Sequence, residues 1–187
     1  APPGGTKRTL GTNPFAIGIP TLGYPFVFDI GTAAISFGEL AVARAAGLPI
    51  PEGVAVDETG EVSTDPAAIM HGGALLAFGG HKGLGLAMAV ELLNGVLAGA
   101  DAVGVGPEDS WGHTFIGISL DSLGDANELR ARAQEMVDRI ATTPTKSGSE
   151  VRIPGSRSLA ARDAALERGT IEVEEATLEQ LRALVSG

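Results

Sequence analysis

The chain of 187 residues contains no cysteine, which removes disulfide frameworks, thiolate nucleophiles and cysteine metal sites at once. Basic residues are scarce: 13 Lys and Arg stand against 23 Asp and Glu, for a formal net charge of −10. That balance excludes nucleic acid as a partner, because a phosphate backbone needs a basic face to displace its counterions. The three histidines, His71, His81 and His113, are not spaced like zinc ligands, and Asp57, Glu58, Glu61 and Asp65 lack EF-hand spacing, so no metal is expected. No signal peptide precedes the first Gly/Pro-rich turn. The expectation is a cytoplasmic protein with a small ligand.

Apolar residues make up 44% of the sequence, enough to bury one core, or one core plus a small appendage. The longest apolar stretch, Gly83 to Ala100, carries one charged residue and as a helix would span about 27 Å. Glu91 and Asn94 interrupt it, several glycines weaken it, and basic or aromatic flanks are absent. A helix buried in a globular core is therefore expected, not a membrane span. A buried Glu91 then needs a partner.

Elsewhere the pattern alternates between strand and helix signals. Phe15 to Ile19 and Phe26 to Ile30 read as strands, separated by a turn at Pro20 to Pro25. Ser36 caps a helix that runs to Ala46 and stops at Gly47, with Glu39 completing a capping box. Pro49 to Pro66 reads as an irregular loop with a short hairpin, and Gly99 to Gly112 as a loose connection. His113 to Leu120 reads as a buried strand, and Asn127 to Ala141 as an amphipathic helix with Leu129, Ala133, Met136, Val137 and Ile140 on one stripe. A helix over Leu159 to Arg168, a short strand over Thr170 to Val173 and a last helix from Thr177 to Val185 follow. The sum is an α/β layered core.

The segment Phe78-Gly-Gly-His-Lys-Gly-Leu-Gly-Leu86 joins a glycine turn and one lysine to a helix start. Glycines admit a ligand close to the backbone, the first amides of a helix have no internal partners, and the dipole there is positive. Lys82 adds a mobile point charge suited to phosphate or a ribose hydroxyl, and His81 beside it is a candidate hydrogen-bonding group. The spacing matches neither a P-loop nor Gly-x-Gly-x-x-Gly. Asp29, at the end of an apolar strand and followed by Gly31 and Thr32, sits where open α/β sheets place ligands, or else caps its own turn. Ser36 has the outline of a nucleophile elbow but lacks a triad, so it reads as a cap, and Gly104-Val-Gly106 reads as a flexible connection.

Four motifs occur in order: Gly11-Thr-Asn-Pro14, Phe28-Asp-Ile-Gly-Thr32, Ser63-Thr-Asp-Pro66, and Gly79-Gly-His-Lys-Gly-Leu-Gly-Leu86 with Val90-Glu-Leu-Leu93. Together they resemble the type 2 malate/L-lactate dehydrogenase family, which also holds sulfolactate and ureidoglycolate dehydrogenases, diketogulonate reductase and cyclic imino acid reductases. The resemblance runs from about Gly11 to Gly155.

The resemblance implies a three-layer, non-Rossmann NAD(P)-binding fold with a mixed sheet over residues 1–155, and a C-terminal helical segment over 156–187. It implies hydride transfer between a malate- or lactate-like 2-hydroxy acid and its 2-oxo acid, with NAD or NADP as cofactor. Asp29, Ile30, Gly31, His81, Lys82, Pro154, Gly155 and Ser156 fall at cofactor positions, with Ser156 where an acidic residue is common; Thr12 and Asn13 fall near the nicotinamide and substrate. Ala77 and Leu84 replace a proline and an aromatic of the family pattern. Family members also carry an N-terminal portion with the acid/base histidine and a carboxylate-binding arginine, chemistry that hydride departure from a hydroxyl carbon requires. None of the three histidines here occupies that catalytic position, so this chain alone is expected to be inactive, with its C-terminal helices packing on the absent helical portion. A homodimer is implied as well. A noncatalytic dinucleotide-binding or assembly subunit, and a cyclic imino acid reductase, stand as alternatives.

Overall fold

The computed structural model describes residues 1–101, 110, 112–146, 148–173 and 175–185. Gly104-Val-Gly106 lies outside them. The described chain is mixed α/β: β1 (Phe15–Ile19), β2 (Phe26–Ile30), α1 (Phe37–Ala46), β3 (Ala55–Val56), α2 (Pro66–Gly72), β4 (Ala74–Leu75), α3 (His81–Glu91), α4 (Ala126–Ala141), α5 (Ser156–Arg168) and α6 (Glu175–Val185). The strands form two two-stranded sheets, β1 with β2 and β3 with β4. By compactness the chain divides into one unit of residues 1–18 and 28–126 and another of 19–27 and 127–187, a division distinct from the one by role expected at 155/156.

The first unit is built around α1, α2 and the β3–β4 pair. Ser36 accepts from the Glu39 amide at 3.0 Å while Glu39 accepts from the Ser36 amide at 3.0 Å, and Gly47 closes α1 in the left-handed region. This is the capping box that the sequence predicts. The Ser36 hydroxyl also donates to the Glu39 carboxylate at 2.7 Å, which leaves it in a structural role. Asp65 caps α2 through the Ala67 amide, with Pro66 at the first helical position. This seven-residue helix is not foreseen by the sequence reading, which runs the Pro49–Pro66 loop up to it. Leu40, Ile50, Ala55 and Ile69 make the buried core, flanked by Ile35, Ala43, Val54, Met70 and Leu75.

Strands β3 and β4 pair antiparallel, Ala55 opposite Leu75 and Val56 opposite Ala74. Val56 also bridges Val62, which supplies the short hairpin expected within the loop. Beyond β4 the chain stays paired on both sides: the Leu76 amide donates to the Val54 carbonyl, the Ala34 amide to the Leu76 carbonyl, and Ala33 bridges Ala77. The turn of Asp57 to Gly60 is local chemistry. Asp57 accepts from the Thr59 hydroxyl and the amides of Thr59 and Glu61, and the Thr59 hydroxyl above all holds its carboxyl below the usual range.

Helix α3 continues without a break into a π-helical turn, Leu92–Leu97. Only one face is buried, through Gly83, Ala87, Val90 and Gly95, while Met88, Leu92, Leu93, Val96 and Leu97 are exposed. The expectation of a helix buried in the core is met on one face and corrected on the other: Gly83, Ala87, Val90 and Gly95 are buried, and the larger side chains are exposed. Among the described residues no helix is long and apolar enough to cross a membrane.

A second correction concerns His113–Leu120. No strand forms there, and Phe115, Ile116 and Ile118 are exposed. No described segment lies beside it as a ladder partner, and a strand exists only through its partner. Thr170–Val173 likewise forms no strand.

In the second unit, α4 and α5 bury no residue completely. The Pro20–Pro25 turn is held by its own Thr21, whose hydroxyl donates to the Tyr24 carbonyl, and by the helices: the Gly23 amide donates to Gln134 and the Tyr24 hydroxyl to Asp163 at 2.8 Å. The Arg162 guanidinium lies 5.2 Å over the Tyr24 ring and pairs with Asp163, holding that carboxyl below its ordinary range. α5 begins at Ser156, three residues before the expected start, and α6 at Glu175, two before.

Candidate functional site

Two of the four motifs, and the residue that leads into a third, meet at Thr32. This residue is almost wholly buried, at 1% exposure. Its amide and its hydroxyl both donate to the Thr12 carbonyl, at 2.8 and 3.1 Å, and its own carbonyl accepts from the Phe78 amide at 3.1 Å. The Gly11–Pro14 loop, the end of β2 and the entrance to α3 are therefore tied together by backbone groups and one hydroxyl. Gly31 belongs to the same knot, since a β-carbon there would stand 3.4 Å from the Thr12 carbonyl.

The entrance itself is shaped by three glycines with different reasons. Gly79 and Gly80 hold φ of 56° and 61°, which L side chains rarely adopt, yet added β-carbons would meet nothing within 4 Å. Space above the turn is open. At Gly83 the reverse holds: a β-carbon would fall 2.0 Å from the Phe78 carbonyl, so only glycine lets the first turn of α3 close onto the turn that precedes it. Gly80 provides no side-chain cap, and no acidic residue lies in the first helical turn. The Lys82 amide donates to the Gly79 carbonyl at 3.4 Å, and the helix begins without a side-chain cap and with a positive dipole end.

The sequence places His81 in the glycine turn; the structure places it one step on, as the first residue of α3, with Lys82 second and both exposed. Asp29 is exposed and Ile30 half-buried at the end of β2. No hydrogen bond from Asp29 closes the turn after it among the described residues, so the turn-capping alternative has no support in the geometry. Thr12 is exposed, whereas Asn13 is turned inward. Asn13 Nδ2 donates to the Ala87 carbonyl at 2.9 Å and to Glu91 Oε2 at 2.7 Å. That supplies the partner Glu91 requires.

Pro154, Gly155 and Ser156 lie in the second unit. Gly155 holds φ of 82°, and a β-carbon there would stand 2.8 Å from the Val27 carbonyl, which accounts for the glycine. The Ser156 hydroxyl donates to the Ile153 carbonyl at 2.8 Å and so closes the turn that starts α5. Thr32 and Phe78, which join the motifs, are missed as site residues by the sequence reading. A threonine directly after the strand-ending Asp29-Ile-Gly31 is the signal that could have singled out Thr32. The two described surface depressions lie elsewhere, one along Arg44, Asp65, Met70 and His71 and the other along α4, and neither is lined by the residues above.

The fold is shared with solved dehydrogenases. Superposition on malate dehydrogenase from Entamoeba histolytica gives a TM-score of 0.91 over 100% of this chain and 57% of that one, a likeness of fold alone at 23% identity. Sulfolactate dehydrogenase from Methanocaldococcus jannaschii superposes with a TM-score of 0.81 at 34% identity, over 100% of this chain and 55% of the other. In sequence, a Delta(1)-pyrroline-2-carboxylate reductase from Ancylobacter novellus is 42% identical over 193 residues, covering 98% of this chain and 55% of its own length. The family profile of malate/L-lactate dehydrogenase matches residues 1–182, and the chain belongs to that family. It spans about half the length of the relatives it matches.

Proposed function

We propose that this chain is the cofactor-binding part of an NAD(P)-dependent oxidoreductase, and that hydride passes between the nicotinamide and the C2 carbon of a 2-hydroxy acid and its 2-oxo acid. The observation that carries this reading is the glycine-opened start of α3, without a side-chain cap and with Lys82 in its first turn, tied through Thr32 to the end of β2 and to Thr12. A helix start without a side-chain cap, its positive dipole end and one cation suit the diphosphate; exposed Asp29 suits a ribose hydroxyl. Ile30, Gly31 and His81 complete the proposed cofactor contacts in this unit. The turn of Pro154, Gly155 and Ser156 is assigned a cofactor contact on family resemblance, as is a substrate-side position for Thr12.

The same reading carries the finer fold with it, a three-layer non-Rossmann arrangement with a mixed sheet, to which α5 and α6 add a helical segment packing on further helices of the enzyme, in a homodimer. The acid/base histidine and the arginine that would orient a carboxylate are assigned to residues outside this sequence. A nicotinamide cofactor supplies the hydride when bound; the residues here bind and orient it.

A second reading of the substrate, a cyclic imino acid reduced at its C=N bond, is favoured by the 42% identity to the pyrroline-2-carboxylate reductase. The test is calorimetric titration of the chain with NADH and with NADPH. Saturable binding of one or both is expected, weakened about tenfold or more by Lys82→Ala, as loss of a charge-assisted contact requires. Absence of binding, or binding indifferent to Lys82, contradicts the proposal. Turnover of pyruvate, oxaloacetate or a cyclic imine by this chain alone would overturn the assignment of the acid/base group elsewhere.

A further inference from the structure

Asn13 is the only non-glycine residue at positive φ among those described, at 40°, and it is 9% exposed. Asparagine tolerates this region better than most residues, but the conformation still has to be held. What holds it is α3: Ala87 and Glu91, one turn apart on the same face, accept both hydrogens of the Asn13 amide. The contact to Glu91 is charge-assisted and short at 2.7 Å.

A side-chain amide has two donor hydrogens on nitrogen and one acceptor oxygen. Neither a backbone carbonyl nor a carboxylate can donate, so these two partners fix which way round the amide sits. Nδ2 faces α3, and Oδ1 is what remains. Among the described residues no group donates to Oδ1, and no described side-chain polar atom is both buried and unpartnered, so this oxygen keeps some exposure on a residue that is otherwise buried. A ligand arriving here meets an acceptor and no donor.

We propose that Glu91 is a positioning residue that locks Asn13 as an acceptor for the amide hydrogens of the nicotinamide carboxamide. The proposal rests on the cofactor reading above. Ala87 lies six residues along α3 from His81, about 9 Å down the helix axis from the end proposed for the diphosphate, which places Asn13 away from the phosphates and toward one nucleoside end. Asn13 belongs to the loop whose Thr12 carbonyl is held by Thr32, so the acceptor is anchored on both sides.

Glu91→Gln tests the lock with little change of shape. Glutamine can itself donate, so the amide of Asn13 is free to turn over and present either end. The measurement is the dissociation constant of the chain for the reduced dinucleotide it binds and for the 3-acetylpyridine analogue, which keeps the ring carbonyl but has no amide hydrogens. The native chain is expected to favour the natural cofactor about fivefold, as one neutral hydrogen bond implies. In Glu91→Gln the ratio should fall to within about twofold. A variant that weakens both ligands equally and keeps the ratio would mean that Glu91 serves stability alone, and the proposal would be overturned. Equal affinity of the native chain for both ligands would overturn it too, while leaving dinucleotide binding intact. Binding of neither ligand would remove the cofactor reading and this inference with it. Asn13→Ala, which deletes Oδ1, gives the same readout if the Glu91 variant does not fold, and a preserved ratio there is equally fatal.

Discussion

Two apolar stretches of this chain have had opposite fates. Ala74 to Phe78 lies between neighbours on both sides, bonded to Val54 and to Thr32 and Ala34, and Ala74 is 2% exposed. Thr114 to Ile118 carries three large apolar side chains, yet Phe115 is 91% exposed and Ile116 79%. Its one described tie is the Thr114 hydroxyl, which donates to the Leu93 carbonyl at the π-helical turn. Apolar residues in a sequence report what gains from burial. They do not report what buries them, and among the described residues only the first stretch lies beside a ladder partner.

The sharpest way to break this contrast is to push the paired region apart. Gly83→Ala would drive a β-carbon to 2.0 Å from the Phe78 carbonyl and should destabilise the chain by about 3 kcal/mol, read as a fall in the denaturation midpoint. A smaller change cuts the knot without crowding it. Thr32→Val removes the 3.1 Å hydroxyl bond to the Thr12 carbonyl but leaves the amide bond in place, for an expected loss of about 1 kcal/mol in a urea titration.

Helix α1 offers a gentler probe. The Ser36 amide first, and its hydroxyl second, hold the Glu39 carboxyl below the ordinary carboxylate range. A group with a depressed folded value contributes stability above its unfolded value and loses it as pH falls through the folded one. Glu39→Gln should therefore lower stability slightly near neutral pH, leave it nearly unchanged in acid, and abolish this component of acid unfolding. At the far end of the scale, Phe115→Ser should leave the stability of this chain within about 0.5 kcal/mol, because a side chain that is 91% exposed has little packing to lose. A loss of 2 kcal/mol or more in thermal unfolding would show that the segment is packed after all.

Local chemistry was the part of the structure that the sequence made legible. Ser36, Glu39 and Gly47 spell out α1 from cap to stop, and Gly79 to Gly83 spell out an open helix entrance, because each effect acts within four residues. α2 escaped since seven residues opening on Pro66 read as the end of a loop. The knot at Thr32 escaped for another reason: its centre is the Thr12 carbonyl, a group every residue has, selected only by the path of the backbone. Asn13 shows both sides of this. Its motif singled it out as a candidate, but which end of its amide faces α3 depends on Glu91, 78 positions away.

Hydrogen exchange with and without reduced dinucleotide tests the central claim most directly. The account predicts slowed exchange at residues 11–13, 30–32 and 79–84, which are joined through Thr32, and unchanged exchange at 113–118. Slowing confined to 113–118, or no slowing at the start of α3, would contradict it.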